Sequence, residues 1–412
     1  MNINQTTKEL HTYRILLLCA TVILLEGFDI QAAGVSAPKL ASAFNLVPSQ
    51  LGYFLGASAV GIFISAALGG FLADKLGRKP VVVAGVCTFG LFSLSTLLAT
   101  LLPNGFTILI AARFLTGLGL GAAMPVVIAY ASDHSPREMK KRAVGFIYCA
   151  IPIGGLLSGV VMQAGVFGTD WRPVYLVGGI APLIVAPLLL LLLPKSLPKA
   201  KLNIESTSSG TNIMTGLFGK NQFSTTISLW TATFGTLLVM YLLLMWMPSL
   251  LEAMGLSKPQ AQYVQMLYNL GASIGAATGG YLLDKKLLYS TPGTAYIGLA
   301  VLLAVFGFST LNFNTTLLVA FGVGAMVTVA QATLYAFAPL CYPPSIRNTG
   351  VGAAVAAGRL GTIAGPVLAG SLLGAGKTAA NVLIVLIPIT LVSGIMSLLV
   401  VRFFTRGNTD SA

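Results

Sequence analysis

The sequence predicts an all-α membrane protein, with twelve transmembrane helices in two six-helix pseudo-repeats and both termini cytoplasmic. Three observations carry this expectation. Only 8% of the 412 residues are charged and 56% are hydrophobic, with a mean hydropathy of +0.87. A water-soluble domain carries roughly 25% charged residues, so most of this surface meets lipid. The apolar residues gather into runs of roughly twenty or more, the length a helix needs to cross the hydrocarbon core. Finally, a glycine-rich segment closing the second run recurs at the close of the eighth.

The runs fall at 14–35, 49–73, 80–102, 105–131, 142–166, 173–193, 224–251, 259–283, 292–311, 315–341, 348–373 and 379–403. The first follows a polar opening and Arg14, as a leader peptide would. It continues through Glu26 and Asp29 without a small-residue cleavage site and therefore reads as an uncleaved first span. Between the sixth and seventh runs lies the longest polar stretch, 194–222, rich in Ser, Thr, Gly and Lys and lacking an apolar period. It reads as a flexible cytoplasmic linker. The chain therefore divides into an N-terminal half (1–193), the linker (194–222) and a C-terminal half (223–412).

The halves echo one another. Gly69-Gly70-Phe71-Leu72-Ala73-Asp74-Lys75 returns as Gly279-Gly280-Tyr281-Leu282-Leu283-Asp284-Lys285, and Pro152-Ile153-Gly154-Gly155 has a weaker counterpart at Gly361–Pro366. Pro and Gly weaken helices five and eleven at matching places. Parallel repeats of this kind are an architecture of secondary transporters, with the substrate site at mid-depth.

Orientation follows from Lys and Arg. With the N-terminus inside, the outer segments hold only Lys39, Arg172, Lys258 and Lys377, and Arg113 and Arg359 lie within spans. Every other one of the 24 basic residues falls inside, as the positive-inside rule requires. The same distribution disposes of nucleic acid as a partner for a net charge of +13, because the cations sit in short loops and not on one face. Cys19, Cys87, Cys149 and Cys341 form no CxxC and read as inert core thiols. The only histidines, His11 and His134, lie outside the spans. With no metal cluster, Walker loop or nucleotide fingerprint, the chain is expected to be no enzyme and to use no cofactor, its energy coming from an ion gradient.

Charges inside the spans mark the candidate site, since an ionised group in hydrocarbon costs several kcal/mol and faces protein instead. Glu26 and Asp29 are one helical turn apart and share a face. Crowding and desolvation both penalise a second negative charge there, which makes the pair a proton-handling element. Arg113 heads Arg113-x-x-x-Gly117-x-Gly119-x-Gly121, whose small residues allow close helix approach. It either snorkels to the outer interface or pairs with an acid on helix one. Arg359, about eight residues into helix eleven, offers a fork for a carboxylate, whether that of a substrate, of Glu26 or Asp29, or of a purely structural pair. Asp74, where helix two ends, is placed to pair with Arg78 or a neighbouring helix terminus and so to latch one conformation; a solvated basic loop is the alternative.

These motifs carry a resemblance. The loop Gly70-x-x-x-Asp74-Lys75-x-Gly77-Arg78-Lys79 resembles the signature between helices two and three of the major facilitator superfamily, and the Arg113 run resembles its helix four motif. Glu26-Gly27-Phe28-Asp29-Ile30-Gln31-Ala32-Ala33-Gly34 resembles the Asp-Gly-x-Asp element of the aromatic acid:proton symporter family, with Glu in the first position as in its phenylpropionate and hydroxycinnamate transporters. Arg347-x-x-Gly350-x-Gly352 and Gly358-Arg359-Leu360-Gly361 resemble that family's helix eleven region. The resemblance implies the major facilitator fold and proton-coupled uptake of a small aromatic carboxylate across a bacterial inner membrane. It places Glu26 and Asp29 in transport. An aromatic acid needs a flat apolar slot with a few polar anchors. Tyr148, Gln331 and Tyr335 are the expected anchors beside Arg113 and Arg359. The rivals are a dicarboxylate such as muconate, or a membrane sensor that binds an acid without moving it.

Overall fold

In lipid no water is available to satisfy backbone N–H and C=O groups, so apolar runs of this length fold as helices. The structure, a computed structural model, describes residues 3–135, 140–164, 170–194, 217–219, 222–284, 290–309, 312–343 and 346–409. Most of the expected linker, together with Arg137, Lys285 and Lys286 of the loops expected inside, lies outside the described residues. The chain separates into two compact units, Met1–Ile204 and Glu205–Ala412.

The first unit contains α1 (Ile3–Phe44), α2 (Pro48–Leu76), α3 (Arg78–Ser95, continued by a 3-10 turn at Thr96–Thr100), α4 (Gly105–Asp133), α5 (Lys140–Gln163) and α6 (Arg172–Leu192). The second contains α7 (Phe223–Ala253), α8 (Lys258–Asp284), α9 (Thr291–Phe308), α10 (Phe313–Phe337), α11 (Arg347–Gly374) and α12 (Ala379–Thr409). A helix overlies each expected span. α1 departs furthest from expectation, running well beyond 14–35 at both ends and through Pro38. Hydropathy marks where a helix meets lipid, not where its hydrogen bonding stops. α5 and α11 run unbroken through Pro152 and Pro366.

Among the described residues, ten helices are long and apolar enough to cross a membrane. In α5 the described stretch Ile147–Gln163 is a shorter apolar helix. α8 carries Gln262, Gln265 and Asn269, all buried. Their spacing puts them on one face of that helix, so its polar face is a buried one.

Helix pairing follows the same order in both units. α1 packs along α5, α2 along α4, and α3 against α4 and α6; α7 packs along α11, α8 along α10, and α9 against α10 and α12. Lipid tails are as apolar as leucine, so close packing of small residues drives these contacts. Where α1 meets α5, a Cβ on Gly27 would run into the Ile151 backbone, and one on Gly154 into the Leu24 carbonyl and the Phe28 amide. Both obstacles are main chain and cannot rotate away. Gly154→Leu is therefore expected to force the helices apart and lower stability by about 1–3 kcal/mol, read as a fall in the thermal unfolding midpoint in detergent. Gly352→Ala is the control. Among the described residues nothing lies within 4 Å of where that Cβ would sit, and the midpoint should not fall.

At one end of the first unit, three helices close off a fourth. The last carbonyls of α6 have no intrahelical donors. Arg14 donates to the Leu192 carbonyl at 3.1 Å, Lys79 to that of Leu193 at 2.7 Å, and the Tyr130 hydroxyl to that of Pro194 at 2.7 Å. Two of the three donors are cations, which suits the negative end of a helix dipole.

Candidate functional site

The site is built on the middle of α1. Asp29 sits two residues past Gly27, where α5 comes close enough to touch the α1 backbone. Its side chain is wholly enclosed (0% exposed), as is that of Arg113 from α4. Arg113 Nη1 donates to Asp29 Oδ2 at 2.9 Å, and Nη2 donates to the Asp29 backbone carbonyl and to Ser58 Oγ, each at 3.3 Å. Ser93 Oγ of α3 donates to the other carboxylate oxygen, Oδ1, at 2.6 Å. Four helices thus converge on one ion pair. Charge-assisted bonds of this kind are about twice as strong as neutral ones. They are needed here, because desolvating two charges costs several kcal/mol per ion.

Arg113 is not fully spent by these contacts. Its Nε–H, also buried, has no hydrogen-bond partner among the described residues. Glu26, one turn before Asp29, is 1% exposed. Gln31, two residues after Asp29, is buried against Gly155 of α5, where a Cβ would strike its amide. Further along α1, Ser36 Oγ and Tyr175 OH of α6 share a hydrogen bond of 3.0 Å. The small residues following Arg113 have a plain role. Gly117 lies against the Ser58 backbone and Gly121 against that of Ile62, which brings α2 near enough for Ser58 to reach the guanidinium.

Of the two readings of Arg113, the structure realises the pair with an acid on helix one; a wholly buried guanidinium does not snorkel. Arg359 lies on α11 in the second unit, half-buried, its carbonyl accepting a hydrogen bond from Thr362 Oγ1 at 2.6 Å. Gln331 and Tyr335, also half-buried, are one turn apart on α10, and the Gln331 amide donates to Tyr335 OH at 3.4 Å. Tyr148, on α5, is exposed. Asp74 is exposed at the end of α2. Arg78 forms its ion pair with Asp133, at the end of α4, and that partner was not foreseen: Asp133 precedes a polar loop and nothing local marks it. Ser58 and Ser93 were missed as well. Serine in an apolar helix is common, and only the register set by Gly117 on α4 would have pointed to Ser58.

A duplicated helical bundle with a hydrogen-bonded ion pair sealed inside one copy has the build of a secondary transporter, in which buried charge serves an ion or substrate path. The model for the Major Facilitator Superfamily matches residues 19–339 and 230–412. The 3-(3-hydroxy-phenyl)propionate transporter of Escherichia coli is 39% identical over 92% of this chain and 91% of its own. The 4-hydroxybenzoate transporter of Pseudomonas aeruginosa is 30% identical over 92% of this chain and 90% of its own. Among solved structures, a bacterial homologue of the human lysosomal transporter Spinster superposes with a TM-score of 0.78, covering 96% of this chain and 98% of that one at 15% identity, a likeness of fold. The chain belongs to the major facilitator superfamily, as its motifs had led us to expect, and is a transporter and not an enzyme.

Proposed function

We propose that the protein takes up a small aromatic carboxylate, of the phenylpropionate, hydroxycinnamate or benzoate type, together with protons by alternating access across a bacterial inner membrane. The observation that carries this reading is the enclosed Asp29–Arg113 pair, in a chain whose relatives of 39% and 30% identity are named for aromatic acids. All twelve helices cross the membrane with both termini cytoplasmic, a topology supported by the distribution of Lys and Arg.

Proton and substrate are linked through Arg113. While Asp29 is ionised it occupies the guanidinium. A proton taken up from outside neutralises Asp29 and loosens that hold, and Arg113 then accepts the carboxylate of the substrate in its place. The unspent Nε–H supports this role, because Nε and one Nη together present the two parallel donors that a carboxylate fits. Glu26 shares the proton-handling work. Arg359, Tyr148, Gln331 and Tyr335 supply the remaining substrate contacts, and Asp74 and Arg78 form a gate between conformations.

The test is uptake by purified protein in liposomes, with labelled phenylpropionate-, cinnamate- and benzoate-type acids set against muconate. Accumulation of an aromatic acid that needs an inward proton gradient and collapses with a protonophore is the expected result. Preferential uptake of the dicarboxylate would shift the reading to the rival cargo. Binding without accumulation would leave a sensor.

A further inference from the structure

Ser93 belongs to none of the motifs. It is 0% exposed in the last turn of α3, and its hydroxyl donates at 2.6 Å to Asp29 Oδ1, the carboxylate oxygen that Arg113 Nη1 does not bond. The charged groups around Asp29 are few. Glu26 precedes it on α1, Arg113 approaches from α4, and α6 brings Tyr175, bonded to Ser36. α5 carries Tyr148 and Cys149 beside its crossing with α1, and α2 contributes Ser58, which does not titrate. Arg113 is a donor only and suits Asp29 only while Asp29 is ionised. A serine hydroxyl carries one donor and two lone pairs and rotates to suit. It donates to the carboxylate and, turned about, accepts from the carboxylic acid.

We infer that Ser93 is a positioning residue for proton coupling: it keeps the enclosed Asp29 hydrogen-bonded in both protonation states and, in particular, makes proton release to the inside possible by holding the ionised form. This rests on the proposed symport. The proton arrives on Asp29 from the outer aqueous phase and leaves to the inner one, and the serine itself neither gains nor loses one. With alanine at 93, the carboxylate created on release lacks a donor on Oδ1. The protonated carrier still binds and shuttles substrate, but the step that empties Asp29 becomes slow.

Two assays in liposomes separate these steps. Substrate-for-substrate exchange needs no proton release; gradient-driven accumulation does. Ser93→Ala is expected to exchange within about twofold of wild type and to accumulate at least about tenfold more slowly, the scale of a lost charge-assisted hydrogen bond. Ser93→Thr, which keeps the hydroxyl, should restore accumulation. Equal loss of both activities, full retention of both, or failure of threonine to rescue would each overturn the assignment. If Ser93→Ala does not fold, Ser93→Cys, close in size with a weaker donor, must show the same split or the assignment falls. Wild-type protein that exchanges but never accumulates under a proton gradient would remove the symport reading itself and this inference with it, an outcome distinct from all the others.

Discussion

Arg113→Gln is expected to destabilise the protein by about 3–5 kcal/mol, the scale set by leaving one member of a buried ion pair without its partner. Asp29 is wholly enclosed and takes donors from Arg113 and Ser93, and without the guanidinium its charge has no cation bonded to it. Asp29→Asn should cost a similar amount for the opposite reason, with a guanidinium left uncompensated at 0% exposure. The double variant Asp29→Asn/Arg113→Gln is the informative one. Both sites become neutral, the amides still hydrogen-bond, and replacing a buried pair outright is often close to neutral. Stability should return to near wild type, a strong non-additivity of the kind contacting residues show. Thermal unfolding of the four proteins in one detergent is the measurement. Single and double losses that simply add would mean the two side chains do not depend on each other.

Gradient-driven accumulation is expected to vanish in that stability-rescued double variant, falling to the level of empty liposomes. The fold would be intact, but no group would remain at position 29 to take and release a proton and no guanidinium at 113 to hold the substrate carboxylate. Glu26→Gln is expected to lose accumulation too while keeping exchange, since an amide in place of the 1% exposed carboxyl is electrically equivalent to a permanently protonated acid. Wild-type accumulation by either protein would sink the role given to this stretch of α1.

Much of the architecture could be read from the chain. Lipid forces each long apolar run to satisfy its own backbone, so hydropathy located a helix over every span, and the recurrence of Gly69–Lys75 at Gly279–Lys285 anticipated two units with the same pairing order. Helix limits were less legible. α1 extends to Ile3 and Phe44 because hydropathy records contact with lipid and not where the backbone hydrogen bonding stops. α8 escaped the hydropathy criterion that marks the others because its Gln262, Gln265 and Asn269 face protein.

The site was legible in its charges and not in its neutral partners. Glu26, Asp29 and Arg113 stand out, since a charge within an apolar run is rare and costly. Ser58 and Ser93 do not, since a hydroxyl hidden in a helix looks the same whether it bonds a carboxylate or its own turn, as that of Thr116 does to the Ala112 carbonyl. The partner of Arg78 went unseen for a similar reason: Asp133 is 55 residues away along the chain and adjacent only once α3 and α4 have packed.

The sequence by itself determined that this is a helical membrane protein with repeated halves, and which charges stand within its spans, because hydropathy, repetition and charge are properties of single residues and short runs. Only the tertiary structure decided that Arg113 turns to Asp29 and not to the interface, and that α3 supplies the hydroxyl completing that carboxylate. Those outcomes depend on how near four helices can approach. That distance is set by glycines on one helix meeting the backbone of another, which no local pattern in either helix records.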